Sequence, residues 1–175
     1  MCPRSGATTS RRTAPILNKY RRTLGLALLL AACAAGDDAG APARPAAADA
    51  RDEIVAMLEA SAESWSRGDL DGFLDDYLDT EETTFVGGSG VVRGTDEIRR
   101  RYTAGYWSTG RPEHRLRFDA IEVRPLGDDH ALAIGRYILE SPDTGETAAT
   151  GFFTLVLTRT HAGWKILHDH SSASS

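Results

Sequence analysis

Two cysteines in 175 residues, Cys2 and Cys33, leave little scope for disulfide chemistry. No acidic residue precedes Asp37, whereas six basic ones do: Arg4, Arg11, Arg12, Lys19, Arg21 and Arg22. Taking those six from the 20 basic residues leaves 14 against 25 acidic ones, a net charge of −11. So acidic a body repels phosphate backbones and anionic surfaces, which excludes nucleic acid as a partner. The apolar run Leu24 to Ala32 falls far short of the ~20 residues that span a bilayer. Gly87-Gly88-Ser89-Gly90 lacks the Gly-Lys-Ser/Thr that a phosphate loop requires, and it lies between two short strand patterns. There is no Ser-His-Asp signature and no nucleophile elbow.

What the N-terminus does have is a basic stretch ending Lys19-Tyr20-Arg21-Arg22, then the short apolar run, the layout of a secretory signal. The run closes with Leu30-Ala31-Ala32-Cys33, which resembles the lipobox of bacterial lipoproteins. That resemblance implies cleavage before Cys33 and its lipidation, so residues 1–32 are read as a signal peptide. A lone thiol in an oxidising compartment is awkward, and a thioether-linked anchor removes the difficulty. Ala34 after the cysteine is not the aspartate of an inner-membrane retention signal, so the outer membrane is the expected destination in a Gram-negative cell. The pairs Arg11-Arg12 and Arg21-Arg22 lack the full twin-arginine consensus and leave the export route open. Residues 33–50, rich in Ala, Gly, Pro and Asp, hold no large apolar side chain and read as a tether.

A folded domain is expected over 51–172, with a short tail at 173–175. Ile54, Leu58, Ser61, Ala62 and Trp65 recur at helical spacing from about Asp49 to Arg67, and Gly68 stops the run. Asp69 caps a second helix with Leu70, Phe73, Leu74, Tyr77 and Leu78 as its stripe. Thr83–Val86 and Val91–Arg93 form a hairpin about the glycine cluster. Thr95 caps a third helix, with Ile98, Tyr102 and Tyr106 on one side; Arg99, Arg100 and Arg101 read as its solvated face. Strands follow. Leu116, Phe118 and Ala120 share one parity and Ile121 and Val123 the other, a slip that predicts a β-bulge. Long strands are expected from His130 to Glu140, Thr147 to Arg159 and Gly163 to Ser171. The fold class is therefore α+β: three N-terminal helices packed on one face of a bent, mainly antiparallel sheet. Both faces of the strands from His130 and Thr147 carry apolar residues, so something besides the helices must cover the second face, and a homodimer is the economical answer.

With the elements in order, the domain resembles the nuclear-transport-factor-2-like superfamily, and within it SnoaL-like bacterial proteins and the association domain of calcium/calmodulin-dependent kinase II. The residues that carry this are Arg67-Gly68-Asp69 with Phe73 and Tyr77, Val92-Arg93-Gly94, Ala133-Ile134-Gly135-Arg136, and the ending Gly163 to Ser171. The resemblance implies a cone-shaped domain whose strongly curved sheet wraps a helix-lined pocket, with a convex face that dimerises. It also implies that Arg136 marks the pocket side, because the kinase domain keeps a pocket arginine there; a second one corresponds to Ser171 here. The family hosts isomerases, dehydratases, cyclases and scaffolds, so fold alone does not select a reaction.

Strict alternation along the last strand puts Trp164, Ile166, His168 and His170 on one face, and Lys165, Leu167, Asp169 and Ser171 on the other. With Arg136 on the pocket side, Asp169 is its expected neighbour, and an Arg136–Asp169 pair would hold a polar ligand or plug the cone. Asp169, His168 and His170 are the candidate acid/base residues. The two histidines also suit structural hydrogen bonds, or a metal shared with His114, although no ligand spacing supports the metal. Tyr102, Tyr106 and Trp107 would roof the cavity, with Trp65 and Tyr77 from the other helices as further aromatic walls, or all would fill the core. No cofactor is implied. The expected function is a lipid-anchored, dimeric pocket domain for a small polar-aromatic or acidic molecule. The alternatives are an acid/base enzyme of isomerase, dehydratase or hydrolase type, and a non-catalytic interaction module.

Overall fold

The computed structural model describes residues 47–174, so the signal segment, Cys33 and the tether up to residue 46 lie outside the described residues. Helix α1 spans Ala47–Arg67, taking the last four residues of the expected tether into its first turn. Its apolar stripe (Ile54, Leu58, Ala62 and Trp65) is buried. Gly68, at φ 81°, ends the helix in the left-handed region that glycine tolerates. Asp69 then caps α2, its carboxylate accepting from Gly72 N at 2.8 Å.

Helix α2 is shorter than its apolar stripe predicts. It spans only Leu70–Leu74, because the chain beyond it pairs with the last strand instead. Ile166 N donates to Asp76 O at 2.7 Å and Leu78 N to Ile166 O at 2.9 Å, so Tyr77 sits in a β-bridge opposite Ile166. Tertiary hydrogen bonding overrides helical periodicity here.

Strands β1 (Thr84–Gly87) and β2 (Gly90–Arg93) form the short hairpin, and helix α3 spans Thr95–Tyr106. The N-cap of α3 is Gly94, without a side-chain cap; the Thr95 hydroxyl donates to Asp79 at 2.6 Å instead of capping its own helix. Strands β3 (Arg115–Pro125), β4 (His130–Glu140), β5 (Thr147–Thr160) and β6 (Gly163–Ala173) complete a six-stranded sheet in the order β2-β1-β6-β5-β4-β3. All neighbours are antiparallel except β1 and β6. This is the expected α+β architecture, with helices against one face of a mainly antiparallel sheet.

Three register shifts interrupt the sheet, one of them at the end of the β4–β5 pairing, between Leu139 and Glu140. The predicted bulge in β3 falls between Asp119 and Glu122, with Ala120 at φ 51°. A second lies in β6: Ile166 pairs with Leu157 and His168 with Val156, leaving Leu167 as the extra residue. On the inner face, Ala131, Ala133, Phe153, Leu155, Leu157, Trp164 and Ile166 pack under the helices. Glu53 fastens α1 to the far end of the sheet, accepting from the Trp164 indole at 2.9 Å and pairing with Arg159 at 2.9 Å. The outer face carries Leu132, Ile134, Val156 and Phe152, and the Phe152 side of the patch is open, with that residue 57% exposed. Among the described residues no helix is long and apolar enough to cross a membrane.

Candidate functional site

The curled sheet and the three helices leave a cavity of about 530 Å³. Its apolar wall comes from both layers: Leu58 and Trp65 of α1, Phe73 of α2, Leu116 and Phe118 of β3, and Phe153 and Leu155 of β5. The aromatic rings pack edge to face, Trp65 on Phe73 at 5.2 Å and on Tyr106 at 4.8 Å between centroids, and Phe118 on Phe153 at 5.2 Å. Gly135 makes room for that last pair, since a Cβ there would lie 2.4 Å from Phe153 Cζ.

One carboxyl group lies in this apolar wall. Asp169 is 5% exposed and borders the cavity. The bulge at Leu167 puts it there. Strict alternation from Ile166 would turn Asp169 away; the extra residue lets Ile166, Asp169 and Ser171 share the inner face. The sequence-based division of β6 into two faces is therefore corrected at Leu167.

Asp169 Oδ2 accepts from the Tyr77 hydroxyl at 2.7 Å, and Oδ1 from the Ser171 hydroxyl at 2.8 Å. With the Tyr77 proton committed, the Tyr102 hydroxyl donates to Tyr77 at 3.0 Å, giving a chain Tyr102 to Tyr77 to Asp169 along the cavity wall. Burial drives the Asp169 carboxyl above its ordinary range, opposed by these hydrogen bonds and by His168 and His170. Burial, with the neighbouring Asp169, also raises Tyr77 and Tyr102 well above the usual phenol range. Both phenols therefore stay protonated, as donors.

The expected Arg136–Asp169 pair does not form. Arg136 lies on the outer face, opposite Asp119 in β3 and Phe152 in β5, and its guanidinium meets Asp119 at 2.5 Å. Its parity is opposite to that of Ala133, Gly135 and Tyr137, which point inward, so the pocket side inferred from the kinase resemblance is reversed for this residue. Trp107 is core: it is 7% exposed, and its indole donates to Gly68 O at 3.0 Å. Tyr102 and Tyr106 border the cavity. His168 faces away and bonds Thr84 Oγ1 through Nδ1 at 2.6 Å, whereas exposed His170 stands at the cavity rim. Among the described residues no group of three or more His, Cys, Asp and Glu side chains is placed to hold a metal, and His114 is not brought to the two histidines as a ligand.

Arg101 is absent from the expected site, and Tyr77 is expected there only as an aromatic wall on a helix. Its pairing with β6 is what turns its hydroxyl to Asp169. Arg101 is expected on a solvated helix face, yet it borders the cavity.

The fold, a bent sheet roofed by helices, is matched by known proteins. The SnoaL-like domain family matches residues 54–174. The chain belongs to the SnoaL-like domain family. The SnoaL-like chain is also similar to the solved structure of an NTF-2 like protein of unknown function from Shewanella oneidensis MR-1, with 31% identity over 69% of this chain and 97% of that one, and a TM-score of 0.60. An NTF2-like superfamily protein from Salmonella enterica serovar Typhimurium shares the fold at 23% identity and TM-score 0.61, over 74% and 94% of the two chains. A protein with a cystatin-like fold from Nostoc punctiforme does so at 14% identity and TM-score 0.61, over 74% and 93%. The SnoaL-like chain has no match among curated proteins.

Proposed function

We propose that this SnoaL-like domain binds a small, flat, largely apolar molecule and holds an oxygen or nitrogen function of that molecule at Asp169 and its tyrosines. The observation that carries the reading is the pairing of an aromatic-walled cavity of about 530 Å³ with a single buried carboxyl group inside it. That volume lies within the roughly 300–1,000 Å³ usual for small-molecule sites, which argues against a cone filled by its own side chains. Mass spectrometry of metabolites that co-purify with the protein tests the reading. A co-purifying ligand lost on Leu155→Trp, which fills the cavity, supports it; a ligand retained by that variant places binding elsewhere.

A second reading, acid/base catalysis of the isomerase or dehydratase kind, is favoured by one further observation. Asp169 is held above the usual carboxylate range, so it exchanges a proton at a higher pH than an exposed carboxylate does, while the Tyr102-to-Tyr77 chain fixes the carboxyl group in place. A ligand recovered unchanged from wild type and from Asp169→Asn alike would remove this reading and leave binding in place.

The export signal, the lipidated Cys33 and the dimer belong to the same proposal. Leu30-Ala31-Ala32-Cys33 after a short apolar run supports an envelope-anchored protein, and mass spectrometry of the mature N-terminus is the test. The apolar outer face with Phe152 at its open side supports a sheet-to-sheet homodimer.

A further inference from the structure

The basic run of α3 divides into two kinds of residue. Arg99 is spent on Asp71 at 2.6 Å and Arg100 on Glu97, both exposed ion pairs. Arg101 forms no ion pair among the described residues. Its guanidinium instead lies over the Phe85 ring, 4.5 Å from the centroid, and one N–H donates to Ser89 Oγ. Gly87 gives it space, because a Cβ there would come within 2.6 Å of Arg101 Nη2. The side chain is half-buried and borders the cavity.

Arginine carries five N–H donors in a planar fork and keeps its charge at any relevant pH. Here one donor is committed and one ring face is covered by an aromatic group. Glu97, one turn back on the helix, is engaged by Arg100, so a cation with unused donors borders an aromatic-walled cavity in a strongly acidic domain. Such a group is matched by an anion.

We infer that Arg101 is the anion-recognising residue of this cavity, and that the ligand is a small amphiphile with a flat apolar body and one anionic head group. This rests on the reading of the cavity as a small-molecule site and adds the charge of its occupant. The apolar body lies against Phe118, Phe153 and Leu155, and the anionic head takes the free edge of the guanidinium.

Two fluorescent probes with the same body test it: 8-anilinonaphthalene-1-sulfonate, which is anionic, and N-phenyl-1-naphthylamine, which lacks the sulfonate. Both are titrated into the wild-type protein, Arg101→Gln, Arg101→Lys and Phe152→Ser. The expected result is a loss of about ten-fold or more in affinity for the sulfonate on Arg101→Gln, with a smaller loss on Arg101→Lys. N-phenyl-1-naphthylamine should be unaffected by either, and Phe152→Ser should change neither probe. On wild type, salt should weaken the sulfonate and spare the neutral probe, a readout that needs no variant to fold. Equal losses for both probes, or no loss for the sulfonate, overturn the assignment while leaving the pocket. Sulfonate binding abolished by Phe152→Ser places the anion on the outer face and overturns it too. Failure of both probes on wild type removes the pocket reading itself, and Arg101 with it.

Discussion

The Tyr77 hydroxyl donates to Asp169 Oδ2 at 2.7 Å, joining residues 92 positions apart inside the cavity wall. Tyr77 stands where α2 has given way to a bridge with β6, and Asp169 stands just past the bulge of the same strand. Removing the donor should be costly, because it leaves a buried carboxyl group with one hydrogen bond fewer. Tyr77→Phe is expected to destabilise the fold by about 1–3 kcal/mol in chemical denaturation, and Tyr102→Phe by less, since that donor serves only Tyr77. Equal costs for the two would mean that the carboxyl does not depend on Tyr77.

Asp169 also gives a pH signature. Its folded pKa is raised by burial above the ordinary 3.8. The folded state therefore holds the proton more tightly than the unfolded chain does. The resulting stability is full below 3.8 and is lost as pH rises through the folded value. Asp169→Asn cannot ionise, so between about pH 4 and pH 8 it should lose less stability than wild type does. Parallel urea midpoints across that range would show the carboxyl ionising without penalty.

A second carboxyl group, the half-buried Asp76, lies outside the cavity wall. Burial lifts it from 3.8 to about 6 against the opposing Ser61 hydrogen bond and Lys165 charge. The shift corresponds to at most roughly 3 kcal/mol, fully felt above the folded value. Asp76→Asn keeps the hydrogen-bonding shape, so it should stabilise the protein above about pH 6 and give no gain below about pH 4. Thermal melts at both ends of that window decide the matter.

Gly135 has a different role. A Cβ there would lie 2.4 Å from Phe153 Cζ and 3.3 Å from Asp119 O, so Gly135→Ala must push the Phe153 ring toward the cavity. A cost of about 1–3 kcal/mol is expected, together with weaker binding of N-phenyl-1-naphthylamine. Unchanged probe affinity would show that Phe153 moves elsewhere.

Arg136 supplies the contrast. Its pair with Asp119 is 43% exposed on both sides, and such pairs contribute about 0–1 kcal/mol. Arg136→Ala should leave probe binding unchanged and barely alter stability. A loss of probe affinity would return Arg136 to the pocket.

The element order was legible from periodicity, turn residues and the parity slip at Ala120, because those signals are local. The site was legible only in part. Asp169 is in the cavity, but the expected partner Arg136 is on the other face, because the bulge at Leu167 falls in a run where neither neighbour breaks the apolar pattern: Ile166 and Leu167 are both apolar, and His168 fits either face. Tyr77 was legible as a cavity wall but not as the partner of Asp169, for a different reason. It continues a good helical stripe, and the long-range backbone bonds of Asp76 and Leu78 that end the helix have no local trace in the sequence. Arg101 looks like its two neighbours in sequence, and only the lack of an ion pair to it among the described residues, with its place at the cavity, sets it apart.

The bulge at Leu167 has one more consequence. His168-Asp169-His170 encodes two chemistries in adjacent residues, imidazole and carboxylic acid, and one surplus backbone position determines which is presented to the cavity. Shifting that surplus position along β6 until it lay beyond Asp169 would turn His168 inward with no substitution at all. In this fold the identity of the group presented to the cavity is therefore a property of strand register, and short insertions or deletions near position 167 are a route by which a relative with the same three residues could line its cavity differently.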